Sequence, residues 1–128
     1  MRTASAIAEP LSRSDQGLVS FKGVNKTYDG VVAVVDDLDL TVREGEFLSL
    51  LGPSGSGKTT TLMMLAGFEE PTSGEITLAG RSLAHVPPHR RGIGMVFQDY
   101  ALFPHLTVAE NLAYPLRLRG MDKAEIRK

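Results

Sequence analysis

The sequence predicts an α/β fold in which an antiparallel sheet precedes a buried strand, a glycine-rich loop and a helix. Three observations predict this order. Apolar and polar residues alternate from Leu18 to Tyr28, which is typical of a strand with one buried face. Asp29-Gly30 is a hairpin signal ahead of a β-branched stretch at 31–42, which predicts one or two more strands. The nearly continuous apolar run EFLSLL, at 46–51, is typical of a strand buried on both faces.

The composition is that of an ordinary globular chain. Of 128 residues, 42% are hydrophobic and 23% are charged, and the formal net charge is -1. This balance gives no general attraction to nucleic acid or to an acidic membrane surface. Because the sequence has no cysteine, disulfides and thiolate metal sites are excluded. No apolar run approaches the roughly 20 residues of a membrane-spanning helix, and residues 1–17 are expected to form a disordered tail.

Helices are predicted at three places after the loop. The first, at 59–67, has Gly67 as its C-terminal cap and Met63 and Met64 as core residues. Its buried face is expected to comprise Leu62, Leu65 and Ala66. The second opens at Thr107, which forms a capping box with Glu110. Pro115 is expected to kink or end this helix, and a third helix follows the break at Gly120.

The segment between the first two helices contains shorter elements. EITLAG, at 75–80, predicts a short strand, and IGMVFQ, at 93–98, predicts a second buried apolar strand. Between them lies a loop or single turn in which Arg90 and Arg91 are expected to be solvated. His85, His89 and His105 have no metal-ligand spacing with Asp or Glu, which favours loop or surface positions.

The loop after EFLSLL fits the phosphate-binding pattern G-x-x-x-x-G-K-[ST]. Its residues are Gly52, Pro53, Ser54, Gly55, Ser56, Gly57, Lys58 and Thr59. Glycine lets the backbone take positive φ and approach an anion closely, so successive N–H groups can point at phosphates beside a helix N-terminus. Lys58 would hold the outer phosphates, Thr59 would bind Mg²⁺ and Thr60 would reach the innermost phosphate. A glycine-rich turn without a ligand is the alternative, but the flanking strand and helix patterns favour nucleotide binding.

The loop alone leaves kinases, GTPases, helicases and transport ATPases open. The segments FLSLLGPSGSGKTTTLMMLAGFEEPTSGEI and VFQDYALFPHLTVAENL, with Tyr28 and Gln98, resemble the ATP-binding subunit of an ABC transporter. The resemblance extends over 18–128 and is greatest to bacterial importers of the polyamine (spermidine/putrescine) branch. It implies a P-loop NTPase fold of ABC type. An N-terminal antiparallel β subdomain would be joined to part of the parallel core sheet and to the start of the helical subdomain.

The resemblance also implies roles for residues outside the phosphate loop. Tyr28 matches the aromatic residue that stacks on adenine, and Ala33 matches a small contact beside the base. Gln98 matches the glutamine that senses Mg²⁺ and the attacking water. The residues that would contact the membrane permease are Tyr100, Leu102, Phe103 and Leu106. Their alternative role is ordinary packing under the following helix.

The family resemblance implies a head-to-tail dimer of ATP-binding subunits at the cytoplasmic face of the membrane. The subunits would bind a permease, without contact to nucleic acid or cargo. The sequence contains no LSGGQ signature and no apolar strand ending in Asp-Glu after Gln98. We therefore expect an N-terminal part of a longer subunit that does not hydrolyse ATP alone.

Two other functions remain alternatives at this point. A soluble ABC-type module of translation or DNA repair would share the loop, but the segment LFPHLTVAEN favours the transporter. A small-molecule kinase would share it too, but would not account for Tyr28 and Gln98. The cargo also stays open, because the ATP-binding subunit does not contact it. Overall resemblance indicates a polyamine, and iron(III), a sugar, sulfate or a related solute are the alternatives.

Overall fold

The computed structural model describes residues 17–99 and 101–127. The tail predicted over 1–17 lies outside the described residues, apart from Gly17. Internal contacts divide the chain into two compact units with a boundary between Gly94 and Met95. In the described part of the chain, no helix has both the length and the apolar character needed to cross a membrane.

The first unit is built on a four-stranded antiparallel sheet. Its strands are β1 (Val19–Thr27), β2 (Ala33–Val42), β3 (Ser73–Leu78) and β4 (Arg81–Ser82). The spatial order is β2-β1-β3-β4, so β1 lies between the two longer partners. The predicted hairpin at Asp29-Gly30 is confirmed, because β1 and β2 pair antiparallel on either side of it. The stretch 31–42 contains one strand.

The core of this unit lies on one face of β1. Val19 and Phe21 are buried, as the alternating pattern predicts, and Val24 is buried with them. Strict alternation would turn Val24 to the other face, but the pairing register shifts between Phe21 and Val24, where Gly23 has φ 54°. This bulge adds one residue to the strand and returns Val24 to the core.

Helix α1 (Lys58–Ala66) contributes its own side chains to this core. Its predicted cap is confirmed, since Gly67 is left-handed at φ 89° and its N–H donates to the Met63 carbonyl. The predicted buried face is only partly right. Leu62 is 48% exposed, whereas the buried residues are Thr61, Met64 and Ala66. Thr61 tolerates burial because its hydroxyl donates to the Gly57 carbonyl at 2.9 Å.

Two predicted strands do not form in the described residues. EFLSLL and IGMVFQ are both irregular, and Phe47 and Val96 are 92% and 98% exposed. The part of a parallel sheet that they were expected to form is therefore not observed in these two segments. An apolar run indicates a tendency to be buried, but a strand also needs a hydrogen-bonded neighbour, and within the described residues neither run has one.

The second unit is helical. It contains α2 (Val108–Leu118) and α3 (Lys123–Ile126), with Asp122 as the N-cap of α3. The capping box is confirmed: Thr107 accepts from the Glu110 N–H, while the Glu110 carboxylate accepts from the Thr107 N–H at 2.8 Å. Pro115 does not end α2, which continues to Leu118. Proline removes the hydrogen bond to the Asn111 carbonyl four residues earlier and crowds that carbonyl, but three further residues complete the helix.

Candidate functional site

The glycine-rich loop runs from the irregular segment 46–51 directly into α1. Gly55 and Gly57 have φ values of 80° and 83°, in the left-handed region that glycine adopts without strain. A Cβ on Gly57 would lie 2.6 Å from the Val34 carbonyl oxygen and 3.1 Å from Val35 Cγ2. The end of the loop therefore touches the backbone of β2, and only glycine fits this close approach.

Lys58 folds back over the loop. Its Nζ donates to the carbonyls of Gly52 at 2.8 Å and Pro53 at 2.6 Å, and to Ser56 Oγ at 3.0 Å. Three hydrogen bonds match the three donors of an ammonium group. The side chain thereby keeps a positive charge inside the curve of the loop.

The start of α1 has no side-chain cap and no acidic residue in its first turn. The first helical hydrogen bond runs from the Thr61 N–H to the Gly57 carbonyl at 2.8 Å. The N–H groups of Lys58, Thr59 and Thr60 precede it and have no intrahelical acceptor, which makes this end of the helix electropositive.

These donors suit a polyphosphate with its metal ion. Helix amides and the Lys58 ammonium can hold phosphate oxygens. Thr59 is exposed and offers a hydroxyl oxygen, the ligand class that Mg²⁺ prefers. The Ser56 N–H, which we expected to face the anion, donates instead to the Pro53 carbonyl at 3.3 Å, a long bond.

Tyr28 and Ala33 belong to the same unit as the loop. Tyr28 follows β1 and is 62% exposed, which leaves most of its ring accessible. Ala33 opens β2 and is also exposed, one residue before the Val34 carbonyl that Gly57 approaches. Asp29 orders the connection between them: hydrogen bonds from the Val32 and Val31 amides lower the pKa of its carboxyl group.

The other predicted site residues lie in the second unit. Gln98 is exposed and irregular, and Tyr100 lies outside the described residues. Leu102 and Phe103 are exposed, and Leu106 is half-buried. The side chain of Asn111 orders this segment by accepting from the Phe103 N–H at 2.9 Å and donating to the Leu106 carbonyl at 3.1 Å.

Sequence reasoning was wrong about Arg91, which is buried rather than solvated. Its guanidinium donates to four carbonyls, those of Met64, Leu65, Leu83 and Val86, at 2.8–3.2 Å. Burial lowers its pKa, while the carboxylate of Glu70 acts in the opposite direction. Two of the four carbonyls end α1, so Arg91 caps the C-terminus of the helix that follows the phosphate loop.

No local pattern distinguishes Arg91 from Arg90. The feature that distinguishes Arg91 is its closeness to Gly67, where a Cβ would lie 2.5 Å from Arg91 Nε. This proximity exists only in the folded chain. No group of three or more His, Asp or Glu residues that could hold a metal is found in the described ranges.

The geometry described above is a glycine-rich loop with an uncapped helix start, and it suits a phosphate ligand. The family profile described as ABC transporter matches residues 35–128, and the chain belongs to that family. This confirms the family resemblance that the motifs indicate.

The curated relatives that the chain resembles include import ATP-binding proteins. The chain is 50% identical over 131 residues to the spermidine/putrescine import ATP-binding protein PotA of Thermobifida fusca, covering 98% of this chain and 34% of the relative. The protein of the same name from Rubrobacter xylanophilus is 59% identical over 108 residues, with coverages of 84% and 28%. The sn-glycerol-3-phosphate import ATP-binding protein UgpC of Burkholderia thailandensis is 50% identical over 108 residues, with coverages of 84% and 30%. The chain thus spans about a third or less of the length of these relatives.

Solved structures agree with the fold. One is a dimeric post-hydrolysis state of an ATP-binding cassette bound to ADP and Pi, with 35% identity and a TM-score of 0.76. The other is a dimeric bacterial ABC transporter cassette, with 35% identity and a TM-score of 0.77. Each match covers 85% of this chain and 52% of the other.

Proposed function

We propose that this chain is the ATP-binding, N-terminal part of an ABC import ATPase. The observation that carries the proposal is the loop itself. An uncapped helix start, a left-handed Gly57 against β2 and the folded-back Lys58 ammonium together form an anion site on a rigid frame. ATP is the ligand that combines this anion chemistry with an exposed aromatic ring at Tyr28 in the same unit.

Different loop residues would bind different parts of the triphosphate and its metal ion. The Lys58 ammonium would exchange its hydrogen bonds with the loop carbonyls for bonds to the outer phosphate oxygens, which carry full charge. The amides of Thr59 and Thr60 would donate to phosphate oxygens at the helix start. The Thr59 hydroxyl would hold Mg²⁺, whose chemistry when bound is to neutralise phosphate charge.

Residues outside the loop would bind the base and position water. Tyr28 would stack on adenine, with Ala33 leaving room beside the base. Gln98 would orient the attacking water, because an amide can donate and accept hydrogen bonds together. We assign hydrolysis to the whole protein and not to residues 1–128 alone.

The whole protein would work as a head-to-tail dimer on a membrane permease at the cytoplasmic face. Exposed Leu102 and Phe103, with Leu106 and Tyr100, are the residues we propose for the permease contact. The names of the relatives make a polyamine the first cargo to test. Uptake of labelled spermidine by membranes holding the assembled transporter, competed by putrescine but not by glycerol 3-phosphate, would support that cargo. The reverse competition would reject it.

ATP binding tests the site directly. Lys58→Ala removes a charged hydrogen-bond donor, and such bonds are worth about 1.5–3 kcal/mol, so ATP affinity should fall roughly 10- to 100-fold by calorimetry. The matched control is Lys22→Ala, which removes an exposed lysine of β1 and should leave the affinity within about twofold. Equal affinities of Lys58→Ala and the unmodified chain would contradict the assignment.

A further inference from the structure

Lys26, near the end of β1, has several partners in the part of the chain that the structure describes. Its Nζ forms an ion pair with the Glu69 carboxylate at 2.9 Å and donates to the Glu70 carbonyl at 2.8 Å. The same atom lies 4.8 Å from the centroid of the Tyr28 ring, within cation–π range. The Lys26 side chain is only 12% exposed. Neither the motif nor the proposed function uses this residue.

The ammonium covers one face of the Tyr28 ring. Because Tyr28 is nevertheless 62% exposed, its accessible area lies on the opposite face and along the ring edge. A flat ligand can therefore stack on one side only. The cation also draws π-electron density toward the covered face, which favours an electron-rich aromatic partner on the open face.

Lys26 also connects the ring to the helix that carries Lys58. Glu69 and Glu70 follow α1 directly, and the Glu69 N–H donates to the Met63 carbonyl at 3.3 Å in the last turn of the helix. Neighbouring bonds support this connection: the Thr72 N–H donates to the Asn25 carbonyl at 2.8 Å, and the Thr27 N–H donates to Thr72 Oγ1 at 3.0 Å. The ring and the phosphate loop are thus attached to opposite ends of one rigid helix.

We propose that Lys26 is a positioning residue that holds the Tyr28 ring for the nucleobase and makes nucleotide binding depend on the base. This inference rests on the proposed function, because it assumes that the ligand places a base on Tyr28. It extends that function by naming the residue that fixes the face and spacing of the stack. Lys26 itself touches no part of the ligand.

The experiment compares two triphosphate ligands, ATP and inorganic tripolyphosphate, which lacks a base. Calorimetry on the full chain should show that Lys26→Met weakens ATP about 3- to 10-fold, in line with a partly desolvated cation–π contact. Tripolyphosphate affinity should stay within about twofold. Lys26→Arg, which keeps a cation over the ring and a partner for Glu69, should restore ATP binding. Glu69→Gln removes the ion pair but keeps the cation–π contact. Its ATP affinity should lie between the affinities of Lys26→Met and Lys26→Arg.

Different failures identify different errors. If Lys26→Met weakens both ligands equally, or neither, the positioning role of Lys26 is wrong. If Tyr28→Leu leaves the preference for ATP over tripolyphosphate unchanged, the base-stacking part of the proposed function is wrong instead. If the unmodified chain binds neither ligand, the phosphate-loop assignment itself is overturned.

A second measurement tests the contact in the absence of any ligand. Protons held over an aromatic face are shifted upfield, so the Lys26 ε-methylene protons should resonate upfield of those of Lys22. The shift should disappear in Tyr28→Leu. Random-coil positions for the Lys26 protons in the unmodified chain would overturn the contact on which the proposal rests.

Discussion

The two longer helices begin in opposite ways. Helix α1 starts at a left-handed glycine, with no side-chain cap and no acidic residue in its first turn. Helix α2 starts at Thr107 and is closed by the reciprocal bonds of a capping box with Glu110. A capped start stabilises a helix but occupies its free N–H groups, whereas an uncapped start leaves them for a ligand. Helix α1 thus lacks a local cap at the end where we propose that phosphate binds.

The two helices also differ in what supports them. Helix α2 is supported by hydrogen bonds between residues close in sequence. Its Asn111 bonds to Phe103 and Leu106, which lie within eight residues. Helix α1 relies on Arg91, whose guanidinium reaches carbonyls 26 and 27 residues away. Because this support comes from a distant residue, α1 should be sensitive to changes far from it in sequence.

The largest effect is expected from breaking that distant support. Arg91→Met would remove the side-chain donor of four carbonyls, of which that of Leu83 also accepts from the Val86 N–H at 3.1 Å, and we expect a loss of about 3 kcal/mol in unfolding free energy. Urea unfolding followed by circular dichroism would measure it. The control is Arg90→Met, an exposed neighbour that should change stability by less than about 0.5 kcal/mol. Similar losses for both variants would show that α1 does not depend on Arg91.

Next in size is a side chain at the uncapped start of α1. Gly57→Ala places a Cβ 2.6 Å from the Val34 carbonyl at φ 83°, and should cost about 2–3 kcal/mol and impair ATP binding. Gly55→Ala is the matched control, since its φ is 80° but no atom lies within 4 Å of the new Cβ. That variant should lose only about 1 kcal/mol. Equal losses would mean that the contact with β2 is unimportant.

A smaller effect is expected at the capped start of α2. Thr107→Ala removes the hydroxyl that accepts from the Glu110 N–H and should destabilise the helix by about 1 kcal/mol. Thr107→Ser keeps the hydroxyl and should retain stability. Amide hydrogen exchange in 108–111 would report the loss. Unchanged protection in Thr107→Ala would indicate that the capping box contributes little.

The smallest effect is a pH dependence of the same cap. Hydrogen bonds from the backbone and then the side chain of Thr107 lower the pKa of Glu110. A lowered carboxyl pKa stabilises the folded state above the ordinary glutamate value of about 4.3, and this contribution is lost as pH falls through the lowered value. Protection factors in 108–111, corrected for the intrinsic pH dependence of exchange, should therefore fall as pH drops through the lowered pKa, and less so in Glu110→Gln. An equal loss of protection in both proteins would exclude Glu110 as the cause.

Local patterns predicted much of the structure. The strand at β1, the hairpin after it, the helix ending at Gly67 and the capping box at Thr107 all depend on residues within a few positions of one another. The phosphate loop was predictable for the same reason, because its spacing and its flanking elements are contiguous in sequence. Tyr28 and Gln98 were found through family resemblance, and their roles stay predictions.

The predictions that were wrong concern residues whose surroundings depend on distant parts of the chain. Apolar runs at 46–51 and 93–98 predicted strands, but the described residues provide them with no hydrogen-bonded neighbour. Periodicity suggested Leu62 for the buried face of α1, but the helix packs through Met64, which is fully buried. The charge of Arg91 suggested that it is solvated, but its guanidinium donates to carbonyls from two separate segments, 64–65 and 83–86.

The sequence by itself determined the elements whose hydrogen bonds close locally, and the composition and spacing of the phosphate loop. Only the tertiary structure decided which face of α1 is buried, that Arg91 caps it, and that Lys26 lies over Tyr28. The physical reason is the range of the interactions. Caps and turns are satisfied within one helical turn, whereas burial and cation placement depend on which distant segments the folded chain brings together.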